Sequence, residues 1–332
     1  MAAETTPKTS EPAPAKPAER APVSRARLWE RARPWLFLAI PAVGLTELGL
    51  HLWQTHDVVP ESDWRAASAA VAKLARPDDL IVFAPDWTDP LGRMYFGDAL
   101  MTARRVGRAE DERFERAIEV SAHGGRDGAL GAWPVKEEQR VGALTIRVHD
   151  NPHPLHILTD LVDRLAPATA AVFELEGGTE RPCPFAVGAG SAGQVGFGMA
   201  TPGARFSCGQ SFAGESMLPE YPDYVPRRVI YASAPGNRGA VRIRFAHVKL
   251  GASLRGHHGI AVHQERDLTG PSVSLTWSIG DRVLGTVVHH DGDGWKQFEL
   301  DTSDLAGQEL DVVADVTCPI AGRPYGFEAI TL

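Results

Sequence analysis

Beyond Thr169 the chain never sustains the 3.6-residue apolar repeat of a helix, and this constrains nearly half of its 332 residues. Short apolar or alternating runs take over at 171–175, 229–232, 241–248, 273–279, 282–289, 295–300, 311–317 and 325–329. Gly280-Asp281 and the Asp-Gly-Asp-Gly of 291–294 supply turn chemistry between them. Regularly spaced strands punctuated in this way predict an all-β sandwich or barrel over 169–332.

Upstream the pattern differs. Ser62 followed by Trp64, Ala67, Val71 and Leu74 at spacings of three and four predicts an amphipathic helix over 63–75. Arg76 to Asp79 end it, and the continuously apolar run 80–84 reads as a strand buried on both faces. A helix at 112–116, a strand at 117–121, a hairpin of 133–138 with 144–148, and a helix face carrying Leu155, Leu158, Val162 and Leu165 complete a small α/β domain, 61–168. The fold class expected is therefore α+β and multi-domain: a small α/β domain, then a β-sandwich.

The N-terminal part belongs to neither class. Residues 1–33 carry seven Lys/Arg against four Glu, a local charge of +3, so the remainder holds −11 of the net −8. An acidic remainder argues against nucleic-acid binding. The first residues lack the apolar content to offset their ordering entropy and read as a disordered cytoplasmic tail, 1–33. Residues 34–54 then form an apolar run between Trp35 and Trp53, whose 18-residue separation is about 27 Å of helix and matches a bilayer core. Arg25, Arg27, Arg31 and Arg33 precede it, and the next twenty residues hold only Arg65 and Lys73. The positive-inside rule then predicts a transmembrane signal anchor in a bacterial inner membrane, N-terminus cytoplasmic and the rest periplasmic. Pro41 and Glu47 interrupt the run, which leaves signal-peptide cleavage as the alternative.

Two resemblances add to this. The run SDWRAASAAVAKLARPDDLIVFAP, from Ser62 to Pro85, resembles the start of the exterior C-terminal region of polytopic lipid-linked-sugar glycosyltransferases, the protein O-mannosyltransferase and aminoarabinose-transferase type, and covers residues 62–98. Those enzymes hold their catalytic acids in a many-helix membrane domain, so the resemblance carries over no catalytic residue; it implies a multi-span membrane-protein partner. The C-terminal half, with Gly294-Trp295, Leu300-Asp301-Thr302, the Gly307 turn and the Arg-x-x-Gly-Phe element from Arg323, is similar to galactose-binding-like jelly-roll modules. That similarity implies a carbohydrate ligand.

Several clusters could carry it. Asp86, Trp87, Asp89, Arg93 and Tyr95 follow the buried strand at 80–84, where α/β sheets commonly place ligands. Glu220, Tyr221, Asp223, Tyr224 and Arg227 form an aromatic and charged loop, and His257 with His258 lies in a Gly-His-His-Gly turn. Cys183 and Cys208 can pair in an oxidising compartment, leaving Cys318 over. His149, His153 and His156 have metal-like spacing, but Pro152 and Pro154 break any common helix. Asp291 and Asp293 lack the downstream glutamate of a calcium loop. The glycines match no phosphate cradle, and Ser191 lacks the strand-to-helix turn of a nucleophile elbow. No metal or cofactor is expected. The chain reads as a non-catalytic envelope protein that binds a glycan or partner, with the glycosyltransferase accessory and an envelope glycan or ester hydrolase as alternatives.

Overall fold

The computed structural model describes residues 25–56, 58–188, 190, 202–209, 211–219, 226–236 and 239–332. The chain divides into two compact units, 1–58 and 59–332. The first contains helix α1, Arg25–His56. Its side chains are described from Phe37 to Leu52, and Phe37, Leu38, Ile40, Val43, Leu45, Leu48, Leu50 and Leu52 are 51–74% exposed, so α1 offers apolar surface all round. Among the described residues no helix is long and apolar enough to cross a membrane.

The second unit opens with α2, Glu61–Leu74, which buries Trp64, Ala67 and Val71 at helical spacing. Strand β1, Leu80–Ala84, is buried throughout, as a strand covered on both faces must be. It pairs in parallel with β2, Arg116–Ala122. The hairpin of β3, Val135–Val141, and β4, Leu144–Asp150, completes a four-stranded sheet in the order β1-β2-β4-β3. The stretch after β1 is helical, not a loop: a 3₁₀ turn, Asp86–Thr88, runs into α3, Asp89–Leu100. Trp64, Ala67, Val71 and Phe96 pack with Ile81, Phe83, Ile118, Val120, Leu144 and Ile146. Arg104 and Arg105 lie on the short α4, Ala103–Val106.

The helix expected at 112–116 is only a 3₁₀ turn, Asp111–Arg113. The helix face read through Leu155 to Leu165 is likewise absent. Leu158 and Leu161 instead donate backbone N–H groups to Thr331 and Ala329, and Thr159–Asp160 forms the two-residue strand β5. Pairing with a distant strand satisfies these amides better than an isolated turn of helix would.

Thirteen further strands follow among the described residues. They are β6, Ala170–Glu176; β7, Thr179–Cys183; β8, Phe185–Val187; β9, Ala204–Cys208; β10, Ser211–Pro219; β11, Pro226–Ser233; and β12, Gly239–Lys249. Then come β13, Ser253–Ile260; β14, Val273–Ile279; β15, Arg282–His289; β16, Lys296–Asp301; β17, Glu309–Thr317; and β18, Tyr325–Thr331. One sheet runs β16-β13-β18-β11-β10-β9-β8, with β5 also on β18; the other runs β15-β14-β17-β12-β6-β7. All pairings within both are antiparallel. The chain is thus mostly β, a two-sheet sandwich carrying a small α/β layer.

Strand β14 shows the two-residue period plainly, burying Val273, Leu275, Trp277 and Ile279. These meet Val241, Ile243, Phe245, Val312, Ala314, Tyr325, Phe327 and Ala329 between the sheets. Cys183 on β7 and Cys208 on β9 form a disulfide, Cα atoms 4.7 Å apart, that ties one sheet to the other. Cys318 is a buried free thiol, and burial pushes its pKa up.

The outer face of the β16-to-β8 sheet carries charge where it meets the α/β layer. Arg228 pairs with Glu215 at 2.8 Å and Asp163 at 2.7 Å, and Arg113 pairs with Asp160. Arg255 reaches Glu110 at 3.4 Å, and the Trp295 indole N–H donates to the Ala109 carbonyl at 3.4 Å. These contacts, with Arg108 N–H donating to Pro226 O at 2.9 Å, join layer and sandwich within the second unit.

Candidate functional site: a crevice at the end of the parallel pair

Because β1 and β2 run parallel, their C-terminal ends open at the same edge of the sheet, the place where α/β sheets form ligand crevices. Ala84-Pro85 is a cis peptide, and Thr88 fastens the turn after it by donating N–H and Oγ1–H to the Pro85 carbonyl at 2.8 and 2.7 Å. The loop after β2 lies directly on that proline. A Cβ at Gly125 would come within 2.5 Å of Pro85 Cδ, so only glycine permits the approach. Ser121 Oγ donates to Gly125 O at 2.6 Å and closes the loop.

This geometry sets His123, with φ of 52°, beside Trp87, their ring centroids 6.2 Å apart and their planes 24° from parallel. Trp87 is nonetheless 64% exposed, an uncommon position for so large an apolar ring. Trp87 lines a pocket of about 290 Å³ whose apolar lining includes Ile81, Val82, Phe83, Val106 and Pro226. Asp86, Asp89, Arg93 and Arg108 supply its charges.

Arg93 is held by Asp89 along α3, Nε to Oδ2 at 2.5 Å and Nη2 to Oδ1 at 3.2 Å. Arg108 donates to both oxygens of Asp111, at 2.7 and 2.8 Å, and to Asp127 at 2.9 Å. Burial opposes its charge, but the two carboxylates more than offset this and raise its pKa. Asp127 is anchored in turn, since its backbone N–H donates to Glu119 at 2.7 Å. Burial alone would raise the Glu119 carboxyl, yet His149, that N–H and Arg147 hold its pKa below the usual range. His149 is spent here, on Glu119 Oε2 and the Trp133 carbonyl, both at 3.2 Å. Asp86 differs from all of these: among the described residues its carboxylate has no hydrogen bond or ion pair, and it is exposed.

Four residues singled out in sequence, Asp86, Trp87, Asp89 and Arg93, thus line one pocket. Tyr95 points elsewhere, stacking on Trp64 at 6.1 Å against the core of α2 and α3. Arg108 and His123 join the site from other segments. Glu220, Tyr221, Asp223, Tyr224 and Ser191 lie outside the described residues, as does the structure of the loop around the first four. Arg227 packs its guanidinium over Trp295, 5.6 Å from the ring centroid, and donates to the Arg108 carbonyl.

His257 and His258 form no exposed turn. Both are buried in β13, pointing to opposite faces because strand side chains alternate. His257 bonds Glu328 at 2.8 Å and stacks on Trp295 at 5.4 Å, outside the sandwich, whereas His258 enters its core beside Trp277-packed Phe298, Tyr325 and His289. The carboxylates of the 291–294 turn are taken by protein groups: Asp291 by Arg323 and the Gly270 N–H, Asp293 by Lys296 and the His290 N–H.

No family model matches the chain, and no curated protein does. Among solved structures it is similar to the carbohydrate-binding module TmCBM27, described for specific mannan recognition, at 11% identity over 38% of this chain and 84% of that one, TM-score 0.26. It is also similar to the CBM51-2 and INT domains of ZmpB from Clostridium perfringens, described in complex with GlcNAc, at 9% identity over 60% of this chain and 40% of that one, TM-score 0.26. A third is the K1 cleaved adhesin domain of Lys-gingipain from Porphyromonas gingivalis, at 14% identity over 36% of this chain and 85% of that one, TM-score 0.24. At such values the sandwich rests on the strand pairings themselves.

Proposed function

We propose that this is a membrane-anchored, extracytoplasmic glycan-binding protein whose sugar sits in the crevice above β1 and β2. One observation carries the reading: a largely exposed indole, Trp87, with the His123 ring beside it, lines a mainly apolar pocket together with an unpaired, exposed carboxylate, Asp86. A sugar ring presents an apolar face to an aromatic and hydroxyl donors to a carboxylate, so the two groups serve one ligand. About 290 Å³ lies near the lower end of small-ligand pockets and suits one sugar residue of a longer chain.

The anchor reading is supported by the eight exposed apolar side chains of α1 and by the arginines before them. The protein should stay with membranes through an alkaline carbonate wash, and release by that wash would count against it. The jelly-roll reading of the sandwich is supported by its two antiparallel sheets.

Retention of the detergent-solubilised full chain on immobilised envelope glycans tests the main claim. Saturable binding should weaken about tenfold, some 1.4 kcal/mol, in Trp87→Ala. Binding that survives both Trp87→Ala and Asp86→Asn, or no retention on any envelope glycan, would remove the reading.

A further inference from the structure

The charges of the crevice are unevenly committed, and this bears on which sugar it takes. Arg93 is closed by a two-point contact with Asp89, and three donors of Arg108 are occupied by Asp111 and Asp127. Counting the pocket's charged residues with these partners gives Asp86, Asp89, Asp111 and Asp127 against Arg93 and Arg108, a net of two negative charges. An acidic ligand would meet this surplus and would find both arginines already neutralised.

The uncommitted groups point the same way. Among the described residues Asp86 has no cationic partner, and it lines the same pocket as Trp87. An unpaired carboxylate next to an exposed indole face is the combination that holds an ammonium group, by Coulomb attraction from one and by the ring quadrupole from the other. Held by exposed groups, the ammonium stays partly hydrated, so the full desolvation cost of a buried ion is avoided. The apolar lining of the pocket remains available for the face of the ring that bears it.

Resting on the glycan reading above, we propose that the crevice selects a sugar with a free amino group: the protonated amine sits between Asp86 and Trp87, and N-acylated and acidic sugars are disfavoured. Asp86 is then the specificity-determining residue.

Three oligosaccharides of equal length, titrated against the full chain in neutral detergent and followed by Trp fluorescence or calorimetry, test this: glucosamine, N-acetylglucosamine and galacturonate oligomers. The glucosamine oligomer should bind at least tenfold tighter than the other two, and the preference should shrink as salt rises. Asp86→Asn, at an exposed position, should abolish the preference, weakening glucosamine binding at least tenfold and N-acetylglucosamine binding by a smaller factor. Equal binding of all three, tighter binding of the acid, or a glucosamine preference that survives Asp86→Asn overturns the amine inference and leaves glycan binding intact. Failure of these three and of every other envelope glycan to bind removes the glycan reading itself.

Discussion

At the scale of single residues, the sandwich core contains a group that ties stability to acidity. His258 is almost fully buried among His289, Phe298 and Tyr325, and burial, followed by the nearby His289 and Lys296, lowers its pKa from 6.5 to about 3. Between those values the unfolded chain takes up a proton that the native state refuses, so the contribution is complete above pH 6.5 and is lost as the pH falls towards 3. Urea unfolding at pH 7 and pH 5 should show His258→Phe losing less stability than the parent on acidification, by up to about 1.4 kcal/mol per pH unit inside that window. Equal losses would assign the acid sensitivity to other groups. The crevice shows what was readable at this scale. Asp86, Trp87, Asp89 and Arg93 fall within eight consecutive positions after a legible strand, so sequence alone grouped them. Arg108 and His123 reach the same place through the ends of other segments, and nothing local in their sequence announces it. His257 and His258 misled because two polar residues between glycines read as a turn, although the charged layer outside and the aromatic core inside each accommodate one of them.

Among elements, legibility follows the environment of each face. Strand β14 separates apolar from polar residues cleanly because its outer side is more exposed, so its period of two survives in the sequence. Strand β13 does not, since its outer face meets Glu110, Glu299 and Glu328 through Arg255 and His257 and so carries buried polar side chains. Helix α3 was obscured by Pro90, Gly92 and Gly97, residues that normally break helices. The structure explains each: Pro90 lies in the first turn, Gly97 takes a φ of 67° where α3 kinks, and a Cβ on Gly92 would overlap the Phe83 ring of β1. The same constraint is more severe at Gly256, where a Cβ would overlap the Glu328 carbonyl of β18 and approach the Phe298 ring. Because that obstacle is backbone, Gly256→Ala should cost roughly 1–3 kcal/mol in a thermal or urea melt. Gly128→Ala, facing open space, should stay within about 0.5 kcal/mol of the parent. A neutral Gly256→Ala would show that β13 and β18 can separate without penalty.

For the molecule as a whole, the Cys183–Cys208 bridge is a side-chain cross-link between the two sheets, closing a loop with a sequence separation of 25. Loop closure of that length is worth on the order of 3 kcal/mol, so Cys183→Ser with Cys208→Ser should lower the unfolding free energy by about that amount, as reduction of the parent should. A change below about 1 kcal/mol would mean that the sheets are held by their shared apolar core alone. The position of β18 has a different consequence, concerned with the order in which the chain is made. This strand is the last of the eighteen, yet it lies between β13 and β11 and also receives β5. Partners spread between residues 159 and 260 therefore remain without a common neighbour until residues 325–331 arrive. During synthesis the sandwich is an unfinished arch, and β18 is its keystone: the facing edges of β11 and β13, and the short β5, must be kept from wrong pairings until it is set in place.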